Sequence, residues 1–293
     1  MAASTDAPPS SLWRFDAIGT VWQIETTTPL ADATRAAVAD VIDTFDREWS
    51  RFRPDSLVMA LAQGVGAVAS PSDAADMLNA FVALDRATAG AINPLVGASL
   101  EARGYDASYA FVDRGAVPAP WDWQERVRWS DDRLTLTEPA VIDIGALGKG
   151  RLVDRVLAVV APATEGDVVV DASGDLAVRG GAQRIALEHP YDARRAIGVV
   201  EVSDAALCAS ATNRRAWGNG LHHVLDARTG EPVRTIAATW AIGPDAMHSD
   251  AIATALFFDG GPELAHDWGV EWVRMTTDGR VEWSPGSTAE LFV

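Results

Sequence analysis

The sequence is poor in two residues on which much site chemistry depends. Cys208 is its only cysteine, which excludes an intrachain disulfide and a zinc site built on cysteine ligands. Lys149 is its only lysine, so every other basic residue of the 24 is arginine. No apolar run approaches the roughly eighteen residues that a membrane-spanning helix needs. The opening MAASTDAPPSSLW has neither a basic region nor an apolar core, so it does not read as a signal peptide, and the expectation is a soluble, cytoplasmic protein. Positive charge is scarce as well. A net charge of −17 argues against nucleic acid or an anionic membrane as a general partner, while leaving room for a phosphate held locally.

What is present suits an ordinary globular chain. At 293 residues, 48% hydrophobic and 22% charged, it can bury a large core in one domain or two closely joined ones. Residues 1–12, rich in Pro, Ser and Ala, are expected to be a loose tail ahead of a folded unit over 13–293. Amphipathic spacing predicts helices over 30–52 and 73–88, with Val38, Val41, Ile42, Phe45, Trp49 and Phe52 on one face of the first. Helices are also expected over 249–258 and 262–268. β-branched, alternating segments predict strands at 21–25, 133–137, 140–144, 168–171, 176–179, 184–188, 197–202, 206–208, 237–242, 270–275 and 280–283, and a hairpin over 222–235. Many adjacent strands mixed with helices indicate an α+β fold and not a regular βαβ alternation.

One stretch stands out, Ala140 to Leu157, AVIDIGALGKGRLVDRVL. A carboxylate, Asp143, is followed by Gly145, Gly148 and Gly150, and then by a helical pattern. This reads as a glycine turn into a helix N-terminus, where backbone N–H groups favour an anion. It is not a Walker P-loop, because Asp143 stands where that motif needs glycine and Gly150 where it needs Ser or Thr. Lys149, a compact ammonium in a chain of arginines, sits inside the turn. A glycine-rich turn is equally a way to pack strand on helix, and the local pattern leaves both readings open.

Further along, Asp250 and Thr254 lie four apart on a helix, so their oxygens share a face and suit an all-oxygen Mg²⁺ site, or else a cap and a core contact. His222 and His223 point to opposite sides of an extended segment, so at most one faces a given cleft, where it is a candidate general base or an exposed strand residue. Asp171-Ala-Ser-Gly-Asp175 reads as a tight turn between strands, either one whose small residues let a ligand approach closely or, as the local pattern favours, an ordinary hairpin turn. Arg214 and Arg215 are candidates for holding an anion or simply solvated.

Taken in order, these pieces resemble the ApbE-type FAD:protein FMN transferases over about nine tenths of the chain. Ser50-Arg-Phe-Arg-Pro-Asp-Ser56 is similar to that family's S-x-[YF]-R-P-D-S, Asn93-Pro-Leu-Val-Gly97 to D-P-T-V-G, and Asp143 to Gly150 to D-L-G-G-I-A-K-G. Ser173-Gly-Asp175 is similar to G-G-D, His222 to Gly230 to H-H-I-L-D-P-x-T-G, and Asp250 to Thr254 to D-A-x-x-T. The resemblance implies a mixed, largely antiparallel, T-fold-like α+β architecture. It implies FAD as substrate and Mg²⁺ (or Mn²⁺) as cofactor, with Asp250, Thr254 and the Ala146 carbonyl as metal ligands. It implies Asp143 and Lys149 in contact with FAD, with Ile18, Phe52, Ala91, Ile92, Asn93 and Leu225 lining its pocket. His223 takes the place of the family's general base, and the partner is an acceptor protein that receives FMN on a Ser or Thr.

The chain departs from the family pattern at Asn93 and Leu95, where Asp and Thr are usual, at 101–105, where L-W-G-F is usual, and at 210–215. Two rivals use the same residues or fewer: an FAD pyrophosphatase with water as acceptor, and a non-catalytic FAD-binding protein.

Overall fold

The computed structural model describes residues 11–292. Its centre is an eight-stranded sheet of Ser11–Ala17 (β1), Thr20–Thr26 (β2), Val168–Asp171 (β3), Asp175–Arg179 (β4), Ala205–Ala211 (β5), Ile236–Gly243 (β6), Glu271–Thr276 (β7) and Val281–Trp283 (β8). The strands lie side by side in chain order, and every neighbouring pair is antiparallel. The α+β fold expected from the sequence is the observed one.

Period-2 alternation gives the sheet two unlike faces. Leu176, Val178, Leu207, Trp240, Ile242, Val273 and Met275 project to one side. There they meet a three-stranded sheet of Gln183–Glu188, Ala196–Val202 and Glu290–Leu291. The intervening residues are small, Ala177, Ala206, Cys208 and Ala241, and project to the other side. Small residues let helices come close, and that side carries them. Eight α-helices occur among the described residues: α1 Asp32–Trp49, α2 Leu57–Ala62, α3 Ala74–Ala87, α4 Gly97–Ala102, α5 Trp123–Arg126, α6 Gly148–Val160, α7 Ala246–Ala255 and α8 Gly261–Asp267. Helix α7 packs on β5 and β6, α6 on α7, β3 and β4, and α1 on α6 through its Val38, Ile42, Phe45 and Trp49 face.

The α6–α7 junction fixes the site. A Cβ at Gly150 would stand 2.1 Å from the Ala246 carbonyl oxygen, so only glycine permits this approach. The Asp154 carboxylate of α6 accepts the Ala246 and Met247 N–H groups at 2.8 and 2.9 Å, satisfying two orphan donors at the start of α7. Burial pushes the Asp154 carboxyl up to about 6 against those two hydrogen bonds.

Three expectations need correction. Residues 140–144 form no strand, and Arg133–Leu136 pairs instead with Ala67–Ala69 and Val127–Trp129. The apolar residues there are buried by packing alone: Ile142 is fully covered, and Val141 lies against Gly97, where a Cβ would stand 2.5 Å away. An apolar run reports burial and not backbone pairing. Ser11 and Leu12, assigned to the loose tail, open β1 opposite Thr26 and Glu25; residues 1–10 of that tail lie outside the described residues. The last two predicted helices also shift, to 246–255 and 261–267, because Asp245 and not Ser249 or Asp250 caps α7, accepting the His248 N–H at 2.8 Å.

Candidate active site

A cleft of about 1270 Å³ opens where the β1–β2 turn, the loops 91–97 and 143–149, the β3–β4 turn, α7 and the segment 213–225 converge. Every residue that the sequence singles out for the site lines it. Ile18 is in the β1–β2 turn with φ 44°, a strained choice for a β-branched residue, and Gly19 follows at 75°. Ala91, Ile92 and Asn93 come from the loop after α3, and Leu225 from the strand beyond the histidines.

One pole of the cleft is crowded with carboxylates. The start of α6 is an anion site, as the glycine pattern indicates, and the anion on it belongs to the protein: the Gly150 N–H donates to Asp250 Oδ2 at 2.9 Å. Lys149 Nζ lies 2.9 Å from Asp175 Oδ2, and Asp175 is 1% exposed, with its Oδ1 unpartnered. Burial, then the charge of Asp175, raises the Asp250 carboxyl well above the usual carboxylate range, with Lys149 offsetting only part. Burial and Asp175 likewise raise Asp171, whose carboxylate accepts the Gly174 N–H at 3.0 Å. Burial opposes the Lys149 ammonium, but Asp175 and Asp250 outweigh it and its pKa rises. Three carboxylates thus gather around Lys149, with the Arg215 guanidinium also acting on Asp250.

Asp250, Thr254 and Ala146 line this same cleft. Among the described residues no three His, Cys, Asp or Glu side chains enclose a metal by themselves. Carboxylate, hydroxyl and carbonyl oxygens, with the unpartnered Asp175 Oδ1, are the donor class that a hard divalent cation keeping water and substrate oxygens takes.

The two histidines divide as their alternation requires. His222 Nε2 donates to the Val233 carbonyl at 2.8 Å and its Nδ1 accepts the Val224 N–H at 3.3 Å, so it braces the backbone outside the cleft. His223 faces the cleft. Burial, then the Arg215 guanidinium, pushes its pKa down to about 3, and its Nδ1 is buried without a partner. It is a neutral imidazole with an idle acceptor.

The cleft is also lined by aromatic rings, Phe52, Tyr105, Tyr109, Phe111 and Trp217, and two of its polar residues brace the backbone. Asp143 accepts Arg51 Nε at 2.6 Å and the Gly145 N–H at 2.7 Å, tying the glycine turn to the end of α1. Arg51, 3% exposed, also reaches the Tyr105 carbonyl and lies 4.1 Å from the centre of the Phe52 ring. Asn93 donates from Nδ2 to the Pro120 carbonyl at 2.8 Å and accepts the Leu95 N–H at 2.8 Å. A carboxylate could not make the first bond, which gives the departure at Asn93 a physical reason in its contact with the 113–123 segment. Sequence reasoning gave no site role to Arg51, Asp171 or Asp175, although each lies in a stretch it had singled out; their burial and charge partners were the missing information.

Fold and cleft together define an antiparallel α+β protein whose cleft joins buried carboxylates, a neutral histidine and aromatic rings. The chain belongs to the ApbE family, whose model matches residues 18–273. It is 29% identical over 309 residues to a FAD:protein FMN transferase of Rhodobacter capsulatus, covering 94% of this chain and 57% of that protein. It is 26% identical to one of Treponema pallidum (strain Nichols), covering 71% and 66%. The chain thus spans 57% to 66% of the length of these two relatives. Its fold is similar to that of the ApbE protein of Thermotoga maritima, with TM-score 0.81, 22% identity and coverage of 94% and 97%. The flavin transferase ApbE of Vibrio cholerae superposes with TM-score 0.77, 20% identity and coverage of 94% and 98%.

Proposed function

We propose that this protein transfers FMN from FAD to a Ser or Thr hydroxyl of an acceptor protein, releasing AMP in a Mg²⁺-dependent reaction. The observation that carries the reading is the pairing of neutral His223 with the acidic, oxygen-lined pole of Asp250, Thr254 and Ala146 in one cleft. Family membership and the names of the relatives support it.

Asp250, Thr254 and the Ala146 carbonyl would hold Mg²⁺ (or Mn²⁺), which when bound supplies positive charge against the pyrophosphate oxygens. Lys149 adds a fixed ammonium at the same pole, held in place by Asp175. Phe52, Ile18 and Leu225 offer apolar cover for the rings of FAD. His223 accepts the proton of the acceptor hydroxyl as that oxygen bonds to the FMN phosphorus. The phosphorus–oxygen bond to AMP breaks, and AMP leaves with the electron pair. An anionic substrate also offsets the Arg215 and Lys149 charges that depress His223, which raises its basicity when it is needed.

The test is to mix the protein with FAD, Mg²⁺ and an acceptor bearing an Asp followed by a Ser/Thr next to Ala or Gly. Flavin fluorescence on the acceptor band of a denaturing gel, with AMP in solution, is the expected result. AMP and free FMN without labelling would assign the chain to FAD hydrolysis. Intact, bound FAD would make it a binding protein.

A further inference from the structure

Just beyond the 101–105 departure from the family pattern, the chain brings Tyr109 and Phe111 to the cleft. After α4 the chain doubles back: Arg103 pairs with Asp113 at 3.1 Å, and the Arg114 N–H donates to the Ala102 carbonyl at 2.7 Å. The tip between is organised by Asp106, which accepts the Ser108 N–H and hydroxyl and the Ala110 N–H, holding its carboxyl down at about 2. Tyr109 and Phe111 both take φ 51°, an uncommon backbone choice for aromatic residues.

This backbone turns the rings toward the cleft. Tyr109 lies parallel to Phe52 within 3°, with ring centres 5.4 Å apart, and Phe111 packs on Trp217 at 5.6 Å. A Cβ at Gly19 would stand 3.8 Å from the Tyr109 hydroxyl. Tyr109 therefore spans the mouth from Phe52 to the Ile18–Gly19 turn, while remaining 46% exposed.

We propose that Tyr109 is a clamp for one of the two flat ring systems of FAD, closing on the ring's outer face while Phe52 holds the inner face. The inference rests on FAD being the substrate. A ring between two aromatic planes needs about 7 Å, two contacts of about 3.5 Å each, and the present spacing leaves no such gap. Tyr109 must therefore move to admit a ring. Its ring plane is already parallel to that of Phe52, so little orientational freedom is lost on binding. The pinned base at Arg103–Asp113 and Ala102–Arg114 confines the movement to the Asp106–Ala110 tip.

The experiment titrates the full chain and its Tyr109→Ala, Tyr109→Leu and Tyr109→Phe variants with FAD, FMN and AMP separately, in Mg²⁺. Tyr109→Ala and Tyr109→Leu are expected to weaken FAD binding about threefold to tenfold, and Tyr109→Phe to bind like the parent. Leu keeps apolar bulk beside Phe52, so a loss shared by Ala and Leu and spared in Phe reports ring stacking. Weakened FMN with unchanged AMP assigns the clamp to the flavin; the reverse assigns it to adenine, and either supports the clamp. Unchanged or tighter FAD binding by the Ala and Leu variants overturns the clamp and leaves the transferase reading standing. Failure of the parent protein to bind FAD overturns both.

Discussion

At the scale of single residues, the adjacent histidines give the sharpest division of labour. His223→Ala is expected to retain FAD binding and lower the transfer rate by about 10²–10⁴-fold, as for loss of a general base. His222→Ala should instead lower stability by about 1–3 kcal/mol, because the Val233 carbonyl and Val224 N–H lose their partner. Parallel measurement of FAD affinity, turnover and urea unfolding in both variants checks the assignment; a stability loss in His223→Ala and a rate loss in His222→Ala would reverse it. Asp250→Asn should abolish turnover while the metal-free protein unfolds at the same or a higher temperature, since the amide oxygen can still accept the Gly150 N–H and the carboxyl it replaces is one whose ionisation burial and Asp175 disfavour. At this scale the cleft residues were legible, because short motifs in fixed order carried them. The struts were not: Asp143 and Asn93 spend their polar atoms on Arg51, Gly145, Pro120 and Leu95, contacts that no local pattern announces.

At the scale of elements, the α6–α7 contact gives a pH prediction. The Asp154 carboxyl titrates at about 6 in the folded protein against an ordinary 3.8, so the folded state holds this proton more tightly than the unfolded one. Its contribution to stability is fully present below about pH 4 and is lost as pH rises through 6, a change of about 3 kcal/mol. Urea unfolding from pH 4 to 7 should show the parent protein losing stability relative to Asp154→Asn, and a slope of the opposite sign would refute the assignment. Asp245 adds to the upward push and Arg151 opposes it, so substitutions at either should shift the window accordingly. Long amphipathic helices and alternating strands were readable because burial imposes their period, as Val38, Ile42, Phe45 and Trp49 show for α1. The false strand at 140–144 and the overlooked β1 fail for one reason. Apolar patterning reports what is covered, and which backbone groups pair depends on partners far along the chain.

At the scale of the whole molecule, the sheet has two unlike faces. One meets a second sheet through large side chains and the other carries the helices. The cleft draws on both, with Leu176, Leu207 and Trp240 from the first and Lys149, Asp250 and Thr254 from the second. No helix among the described residues is long and apolar enough to cross a membrane. Because the cleft draws on segments from Ile18 to Thr254, a bound ligand should brace nearly the whole chain. FAD with Mg²⁺ at one hundred times its dissociation constant is expected to add about 2.7 kcal/mol, seen as a single upward shift of the unfolding transition. A split transition would mean that the two faces unfold separately.

The order of strands in the sheet also sets a schedule for synthesis. Every strand sits beside its neighbour in the chain, yet β2 and β3 are separated by residues 27–167. The β1–β2 hairpin therefore leaves the ribosome with one edge unpaired, and at about 5–20 residues per second its partner follows on the order of ten seconds later. During that interval Trp22 and Ile24, fully buried in the finished core, await most of the residues that cover them, making the hairpin the part of the nascent chain that holders of unfolded protein would meet first.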